Sequence, residues 1–217
     1  MIKNIRTEQI IQLYTKGYFP MAENATSEDI NFYKPEKRFI IPINSFHIPK
    51  KLFSEFKKEK YQFGINSDFS SVIENCAKIR KKDSETWINQ IIIDTYTKLH
   101  KEGFAKSIEC FYKKKLVGGL YGVHIGSCFF GESMFSLLSN TSKFCLLFLI
   151  SILKDYNFHL LDSQFYNKHL IQFGAYEISD KKYQKQLKKG VTKKCIFPKS
   201  FDFQKSVLIL QSLSHKS

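Results

Sequence analysis

AKSIECFYKKKLVGGLYGVHIGSCFFGESMFS, at residues 105–136, contains three apolar runs separated by two short polar turns. The runs cover residues 105–112, 115–123 and 127–135, and the turns lie at 113–115 and 126–127. Apolar runs of strand length that are joined by short polar or glycine-containing turns are typical of β-hairpins. The pattern therefore predicts an antiparallel three-stranded meander.

Helices and a further strand are predicted on both sides of this meander. A helix that begins at Ser84 leads into it and ends near His100, before Gly103. The elements predicted after the meander are an apolar helix over 141–155 capped by Asn140, a strand over 158–161, a helix ending near Phe173 and a basic helix capped by Ser179. This order of elements indicates a layered α+β fold.

The first third of the chain predicts a smaller unit. Its predicted elements are a helix capped by Thr7 and ended by Gly17, an extended segment over 18–21, strands over 39–43 and 61–65, a basic helix over 50–60 and a helix that Asp68 caps and that ends near Ile79. The polar residues 80–84 predict a linker. We therefore expect a small N-terminal α/β domain at 1–82 and a larger domain with a basic tail at 83–217.

Positive charge is concentrated at the C-terminal end. The chain has 34 basic and 20 acidic residues, and residues 181–217 hold ten lysines against the single acid Asp202. A basic segment of this kind favours a polyanionic partner. Arginine occurs only three times, so a coding bias towards lysine is the alternative explanation.

The cysteines and the apolar segments indicate a reducing, non-membrane environment. The five cysteines are scattered and form no CxxC pair, and no HExxH motif occurs, so we expect reduced thiols and no structural metal. The most apolar run, 144–153, is shorter than the roughly 20 residues that cross a bilayer. No signal peptide opens the chain, and we expect a soluble cytoplasmic protein.

Two polar clusters follow apolar strands and are candidates for chemistry. Glu132 lies in a segment otherwise suited to burial, where a carboxylate needs a partner or a task, unless it simply faces water at a strand end. Asp162, Ser163 and Gln164 directly follow a predicted buried strand, where ligand-binding groups gather. A helix N-cap is the alternative explanation for this second cluster.

Three weaker signals point to ligand contact. Three glycines within 118–122 permit either a structural bulge or the close approach of a ligand, although the segment is not a phosphate loop. Trp87 and the Phe32–Tyr33 pair could stack on nucleotide bases or belong to the core. The last signal is a set of lysines that could contact phosphates or form a solvated helix face: Lys181, Lys182, Lys185, Lys188 and Lys189.

Together these segments resemble one known family. The matching segments are 13–21 (LYTKGYFPM), 85–88 (ETWI), 116–123 (LVGGLYGV), 129–136 (FFGESMFS), 140–143 (NTSK), 161–165 (LDSQF), and His169–Leu170 with 173–175 (FGA). Read in order over roughly residues 6–188, they resemble the bacterial leucyl/phenylalanyl-tRNA–protein transferases, whose fold is similar to that of GNAT acyltransferases. The [RQ]xxGx[GA] loop that an acetyl-CoA-dependent GNAT enzyme needs is not found in the sequence.

The resemblance implies an activity and its partners. It implies transfer of Leu or Phe from aminoacyl-tRNA to the α-amino group of proteins that begin with Arg or Lys, which creates an N-terminal degradation signal. The implied partners are Leu-tRNA, Phe-tRNA and these acceptor proteins. We expect no cofactor, no metal and a monomer, with a GNAT-like catalytic domain at 83–217.

The resemblance also implies roles for individual residues. Asp162 and Gln164 are the implied catalytic pair, with Asp162 polarising Gln164 or the incoming amine, and Glu132 is implied to bind a substrate amino group. Trp87 with Phe32 and Tyr33 is implied to stack on the terminal adenosine of the tRNA. The residues implied to line a pocket for a side chain unbranched at Cβ are Leu120, Phe129, Leu146, Leu153 and Leu161.

Some positions depart from the family pattern and keep rival hypotheses open. Lys106 replaces the usual histidine of an Ala-His-Ser segment, Phe32 replaces a tryptophan, and Ser163 stands where Cys or Thr is common. A charge at Lys106 would favour acidic acceptor termini, so an arginyl or leucyl transferase of that specificity is one rival. A catalytically silent tRNA-binding protein is a second rival, and a small-molecule acetyltransferase is a third. Residues 190–217 match no family motif, and 207–210 could form a helix, a strand or a partner contact.

Overall fold

The predicted meander lies at the centre of a seven-stranded sheet. The computed structural model describes residues 6–78 and 86–214. Within those ranges the strands are β1 (Phe19–Ala22), β2 (Ile30–Tyr33), β3 (Lys37–Ile41), β4 (Gln62–Ile65), β5 (Ala105–Tyr112), β6 (Lys115–Ile125), β7 (Cys128–Ser136), β8 (Leu160–Asp162) and β9 (Tyr176–Ser179). The helices are α1 (Thr7–Thr15), α2 (Lys50–Phe56), α3 (Phe69–Ala77), α4 (Gln90–Lys101), α5 (Thr141–Asp155), α6 (Lys168–Ile171), α7 (Asp180–Thr192) and α8 (Phe203–Ser214).

The order of strands in the large sheet is β4-β5-β6-β7-β8-β3-β9, and β1 pairs with β2 in a separate ribbon. Neighbouring strands are antiparallel except β7 and β8, which are parallel in the described part of the chain. The α+β prediction and the meander are thus confirmed. Strands β3 and β4 join this sheet from the first third of the chain. The predicted domain boundary at 82/83 and the linker at 80–84 lie outside the described residues, so the division stays a prediction.

Several predicted helix starts differ in detail. Asp68 does cap α3, because its carboxylate accepts a hydrogen bond from the Ser71 N–H at 3.2 Å. Thr7 is the first residue of α1 rather than its cap, and its hydroxyl donates to Glu102 at 2.9 Å instead. The helix predicted from Ser84 begins at Gln90, since Asn89 caps it by accepting from the Ile92 N–H at 2.9 Å; Ser84 itself is not among the described residues.

Asn140 and Ser179 lie at the expected helix starts but do not cap them with their side chains. Asn140 has a left-handed backbone, with φ 66°, and its amide donates to Glu55 at 3.0 Å. The first turn of α5 is bound instead by Ser136, whose hydroxyl oxygen accepts from the Ser142 N–H at 2.8 Å. A residue of the preceding strand thus supplies the cap, which a search for a local N-cap motif does not find.

The two faces of the sheet carry separate hydrophobic clusters. Side chains of adjacent strand residues point to opposite faces, and on β6 Leu120 belongs to one cluster and Tyr121 to the other. The first cluster includes α2, α5 and α8, and the second includes α1, α3, α4 and α7. Helix α5 is apolar all round because the sheet and α8 cover it on two sides.

The segment 190–217, which matches no family motif, contains the terminal helix α8. Leu210 and Leu213 are buried against the first cluster, and the Ser151 hydroxyl donates to the Ser206 hydroxyl at 2.7 Å. Residues 207–210 are therefore helical, and of these Leu210 belongs to the core. None of the helices in the described ranges is both long and apolar enough to span a membrane.

Replacing Leu210 with alanine should destabilise the protein by about 2–5 kcal/mol, because the change leaves a cavity beneath α5. Leu208→Ala is the matched control on the same helix, since Leu208 is 67% exposed, and its effect should be within about 0.5 kcal/mol. Urea unfolding of both variants measures the difference. Equal losses would contradict the packing of α8 on α5.

Candidate active site

Glu132 occupies a β-bulge in strand β7. Across β6 and β7, Tyr121 pairs with Ser133 and Gly122 pairs with Gly131, so Glu132 has no residue opposite it. A bulge of this kind re-aims the side chain of the extra residue. Gly122 faces the bulge without space for a side chain, because a Cβ there would lie 2.3 Å from the Phe130 carbonyl oxygen. This glycine therefore serves packing rather than the approach of a ligand.

The bulge directs the Glu132 carboxylate to two tyrosines from distant helices. The Tyr14 hydroxyl, from α1, donates to Glu132 Oε1 at 2.6 Å, and the Tyr96 hydroxyl, from α4, donates to Oε2 at 2.9 Å. The two hydroxyl oxygens lie 2.5 Å apart. The Gln164 amide donates to Oε1 at 3.1 Å. Of the two explanations that the sequence allowed, Glu132 is thus the carboxylate with partners and not one that simply faces water.

This surrounding changes the acidity of Glu132. Loss of solvation raises the pKa of Glu132 to about 7, although the hydrogen bonds from Tyr14 and Tyr96 favour the charged form. The nearby Asp162 carboxylate adds to the rise, and Arg38 opposes it. A carboxyl group poised between its two protonation states near neutral pH is suited to handling a proton or an amine.

Asp162, at the end of β8, forms a fully buried ion pair with Arg38 of β3. Arg38 donates from Nε to both carboxylate oxygens, at 2.9 and 3.0 Å, and from one terminal nitrogen to Oδ2 at 2.6 Å. The Tyr183 hydroxyl donates to the same Oδ2 at 2.7 Å. Burial opposes the charge on Arg38, but Asp162 outweighs it and the pKa of Arg38 is raised. Asp162 is not a helix cap, since α6 begins only at Lys168 with Asn167 as its cap.

Gln164 is held in a strained backbone conformation directly after this pair. Its φ is 59°, in the left-handed region that side chains other than glycine rarely adopt. Its N–H donates to Asp162 Oδ1 at 2.9 Å, and its carbonyl oxygen accepts from the Phe39 N–H at 3.0 Å. Asp162 therefore contacts the backbone of Gln164, while the Gln164 side chain reaches Glu132. Strain of this kind is often retained at functional sites.

An apolar cavity of about 300 Å³ lies beside these polar groups. Four of the five expected lining residues border it, namely Leu120, Phe129, Leu146 and Leu161. Leu153 does not; it is fully buried in the first core cluster, and Leu149, one helical turn earlier on α5, borders the cavity instead. Glu132, Asp162 and Gln164 border its polar side.

A second, smaller cavity of about 150 Å³ shares Glu132 and Gln164 with the first. Aromatic and sulfur-containing side chains form most of its wall: Phe19, Met21, Trp87, Phe165 and Tyr166. Phe32 and Tyr33 do not border either cavity. Tyr33 instead packs against two residues of this wall, with its ring centroid 6.2 Å from those of Phe19 and Phe165, and is itself partly exposed. Trp87 borders both cavities.

Lys106 does not border either cavity. It is half-buried on β5 opposite Gly122, where desolvation lowers the pKa of its amine. The structure therefore does not support the rival in which Lys106 selects acidic acceptors. Within residues 6–78 and 86–214 no group of three or more His, Cys, Asp or Glu side chains is placed to hold a metal ion.

Four functional candidates were missed by the sequence reasoning: Tyr14, Arg38, Tyr96 and Tyr183. Tyr14 lies in the matched segment 13–21 without a predicted role, and no local signal distinguishes Tyr96. Arg38 carried a usable signal, because an arginine beside an apolar strand in an arginine-poor chain needs a buried partner. Nothing local to the sequence identifies that partner.

Comparison with known proteins gives the class of this site and then its family. The family model described as leucyl/phenylalanyl-tRNA protein transferase matches residues 40–188, so the protein is an aminoacyltransferase enzyme. Two curated relatives carry the same family name. The relative from Maricaulis maris (strain MCS10) is 39% identical over 216 residues, covering 100% of both chains. The relative from Hyphomonas neptunium (strain ATCC 15444) is 41% identical over 181 residues, covering 83% of this chain and 70% of its own.

The chain belongs to the leucyl/phenylalanyl-tRNA–protein transferase family. Solved structures resemble it more remotely. L-PGS from Bacillus licheniformis has 13% identity and a TM-score of 0.40, covering 76% of this chain and 55% of its own. A conserved protein of unknown function from Staphylococcus epidermidis has 9% identity and a TM-score of 0.40, covering 81% of this chain and 65% of its own.

Asp162→Asn should cost about 3–5 kcal/mol of stability, because it leaves the Arg38 guanidinium buried without its counter-charge. Asp155→Asn is the matched control. It breaks a pair with Lys205 in which the lysine is half-exposed, and its effect should be below about 1 kcal/mol. Urea unfolding measures both. Similar small losses would show that the buried pair does not hold the site together.

Proposed function

We propose that this protein transfers Leu or Phe from aminoacyl-tRNA to the α-amino group of proteins whose first residue is Arg or Lys. The observation that carries the proposal is the apolar cavity that ends at Glu132 and Gln164, in a chain of this family. The cavity has the two parts that such a donor needs, an apolar wall for its side chain and an anionic group for its ammonium.

The donor side chain is proposed to enter between α5 and the sheet. Leu146 and Leu149 form the helix side of the cavity, and Leu120, Phe129 and Leu161 form the sheet side. An apolar wall of this kind is proposed to favour a side chain unbranched at Cβ and to select by shape. Hydrophobic fit alone supplies about 1–3 kcal/mol of discrimination.

The α-ammonium of the donor is proposed to bind Glu132, the carboxylate that the bulge directs into the cavity. Charge-assisted hydrogen bonds between an ammonium and a carboxylate are stronger than neutral ones. Tyr14 and Tyr96 hold both carboxylate oxygens, so they act as positioning residues. This arrangement fixes the donor ester beside Gln164.

Transfer then requires an oriented amine and a place for its proton. The acceptor amine attacks the ester carbonyl, the amide C–N bond forms, and the C–O bond to the tRNA breaks. The Gln164 amide nitrogen is engaged with Glu132, which leaves its side-chain oxygen to accept a hydrogen bond from the incoming amine. Asp162 is proposed to act as a positioning residue, since Arg38, Tyr183 and the Gln164 N–H occupy its oxygens. The attacking amine loses one proton and the ribose oxygen of the departing tRNA gains one, so the protons balance.

The aromatic cavity is proposed to hold the terminal adenosine of the donor. Trp87 borders both cavities, so a base stacked on Trp87 would lie next to the amino acid that it carries. Phe19, Phe165 and Tyr166 supply the rest of the surface. In this proposal Tyr33 packs against Phe19 and Phe165 of this wall, and Phe32 packs against the second core cluster.

The acceptor arm of the tRNA is proposed to lie on the exposed lysines of α7. These residues are Lys181, Lys182, Lys185, Lys188 and Lys189. Lys188 borders a surface groove with Lys16 and Lys34, which extends the basic surface to the start of the chain. Phosphate contacts of this kind add affinity with little base specificity.

The remaining expectations belong to the same proposal. Family membership supports the Arg or Lys acceptors, a cytoplasmic location with its tRNA donor, and an N-terminal degradation signal as the product. A GNAT-like sheet in a domain at 83–217 is supported by the parallel pair β7 and β8, whose contact ends at Phe130 and Asp162. We further propose that the protein acts as a monomer.

A transfer assay tests the proposal directly. The protein would be incubated with labelled Leu-tRNA, Phe-tRNA or Arg-tRNA and with peptides that differ only in the first residue: Arg, Lys, Asp or Glu. Label from Leu- or Phe-tRNA on Arg and Lys peptides is the expected result, with loss in Gln164→Ala at an unchanged melting temperature. Label only on Asp or Glu peptides would overturn the acceptor class, and bound tRNA without turnover would indicate a silent binding protein.

Leu149→Phe should lower kcat/KM for Phe-tRNA more than for Leu-tRNA, because the added ring reduces the cavity volume and Phe is the larger of the two side chains. The ratio of the two constants should change by about 10-fold or more. Leu153→Phe is the matched control, one helical turn further along α5 and outside the cavity wall. A change of ratio in the control alone would show that Leu153 and not Leu149 meets the donor.

Lys185→Glu with Lys188→Glu should weaken tRNA binding and reduce its salt dependence. The log–log slope should fall by roughly 0.7–0.9 for each phosphate that a lysine no longer neutralises. Lys58→Glu with Lys60→Glu makes the same charge change at a cleft beside α2 and α5. Filter binding over a range of salt concentrations measures both. If only Lys58→Glu with Lys60→Glu weakens tRNA binding, the tRNA binds at that cleft and not on α7.

A further inference from the structure

Tyr14, Tyr96 and Glu132 make three contacts with one another, and the two tyrosine hydroxyls supply only two hydrogens for them. Tyr14 and Tyr96 lie within hydrogen-bond distance of each other and of one carboxylate oxygen each, at 2.5, 2.6 and 2.9 Å. Each contact needs one proton between its two oxygens. With Glu132 ionised, both hydroxyls donate to the carboxylate, and the 2.5 Å contact between them holds no proton.

We propose that Glu132 carries the third proton in the free protein and releases it to solvent when the α-ammonium of the donor binds. This inference rests on the proposed function, since it concerns the same donor. The step is balanced: a neutral carboxylic acid and an ammonium give a carboxylate–ammonium pair and one proton in solution. No other reactant is needed.

The positions of the neighbours show which oxygen holds the proton. Oε1 accepts from Gln164 at 3.1 Å as well as contacting Tyr14, so it is the carbonyl oxygen of the acid. In this neutral state the bond between Oε2 and Tyr96 is reversed relative to the ionised state: Oε2 carries the hydrogen and donates to Tyr96. Tyr96 then donates to Tyr14, and Tyr14 donates back to Oε1. All three contacts are filled in this ring. Loss of the proton leaves one of them without a hydrogen.

The charged and titratable groups that face Glu132 agree with this state. From β8 and β3, Asp162 opposes a negative charge on Glu132, and Arg38 favours it but is paired to Asp162. From β6 comes Tyr121, whose buried hydroxyl has no hydrogen-bond partner among the described residues. Burial raises the pKa of Tyr14, of Tyr96 and of Tyr121, so these hydroxyls keep their protons. The pKa of Glu132 itself is raised to about 7.

The donor should therefore bind in a pH-dependent manner. A free α-amino group titrates at about 7.7–8.0, so between about pH 5 and 7 the ligand is a cation and Glu132 is the group that must lose a proton. Affinity for a cationic amine should fall about tenfold for each pH unit below the pKa of Glu132. Near pH 8 this penalty disappears.

Proton release on binding is the first test, with phenylalaninamide as the probe. Titration calorimetry at pH 6, in buffers with different ionisation enthalpies, counts the protons released for each ligand bound. Nearly one proton is expected for the wild type and none for Glu132→Gln. The amine-free analogue 3-phenylpropionamide is the matched ligand control and should release none. Phenylalaninamide that binds the wild type without proton release would overturn the inference.

The protonation state of the free protein is a second test that needs no ligand. With 13C labels only on the glutamate side chains, no aspartate contributes a signal, and the Glu132 signal should titrate near pH 7. Glu109 is also buried with a raised pKa, so the signal missing in Glu132→Gln identifies Glu132. A Glu132 signal that titrates at the ordinary value of about 4.3 would contradict the proposal. If phenylalaninamide does not bind, the proposed donor site is contradicted. The NMR titration still shows whether Glu132 is protonated in the free protein.

Thermal unfolding gives a third measurement. Between about pH 4.3 and 7 the folded protein should hold a proton on Glu132 that the unfolded chain has lost. The wild type should therefore lose stability relative to Glu132→Gln as the pH rises through this window, because the glutamine cannot ionise. A difference in melting temperature that stays constant across the window would contradict the neutral acid.

Discussion

The buried ion pair between Arg38 and Asp162 is the interaction on which the rest of the site depends. It joins β3 to β8 inside the sheet, and each partner binds a further element. Arg38 donates to the Gly17 carbonyl oxygen at 2.9 Å and stacks between Phe19 and Tyr183, while Asp162 accepts from Tyr183 of α7. A buried pair is weak evidence for net stability, since desolvation offsets the attraction. Its contribution here is geometric, because it orients four separate segments.

The geometry of Gln164 follows from this pair. Asp162 accepts from the Gln164 N–H and so holds that residue in a left-handed conformation that costs about 1–3 kcal/mol. The strained backbone aims the Gln164 amide at Glu132 across the mouth of the cavity. Glu132 in turn reaches this point only through the bulge opposite Gly122. Two local irregularities, the bulge in β7 and the left-handed residue just after β8, thus place one amide and one carboxyl group together.

Prediction from the sequence succeeded where the signal was local. The strands β5, β6 and β7, the helix α5 and the cap Asp68 could all be predicted, because periodicity and turn residues act within a few positions. It failed where the partner lies outside the local motif. Ser136 binds the first turn of α5 in place of Asn140, and α5 presents Leu149 rather than Leu153 to the cavity. Which turn of a buried helix meets a cavity depends on how the helix is seated on the sheet.

By itself, the sequence determined the class of fold, the position of the meander, the family resemblance, and the identity of Glu132, Asp162 and Gln164 as the polar groups of interest. Only the tertiary structure decided what these groups touch. Tyr14 and Tyr96 are 82 residues apart, and Tyr14 and Glu132 are 118 apart, yet their oxygens share one network. The physical reason is the separation along the chain between the interacting residues. Strand and helix patterns reflect interactions between near neighbours in the chain, whereas hydrogen bonding and desolvation at Glu132 depend on which elements pack around it.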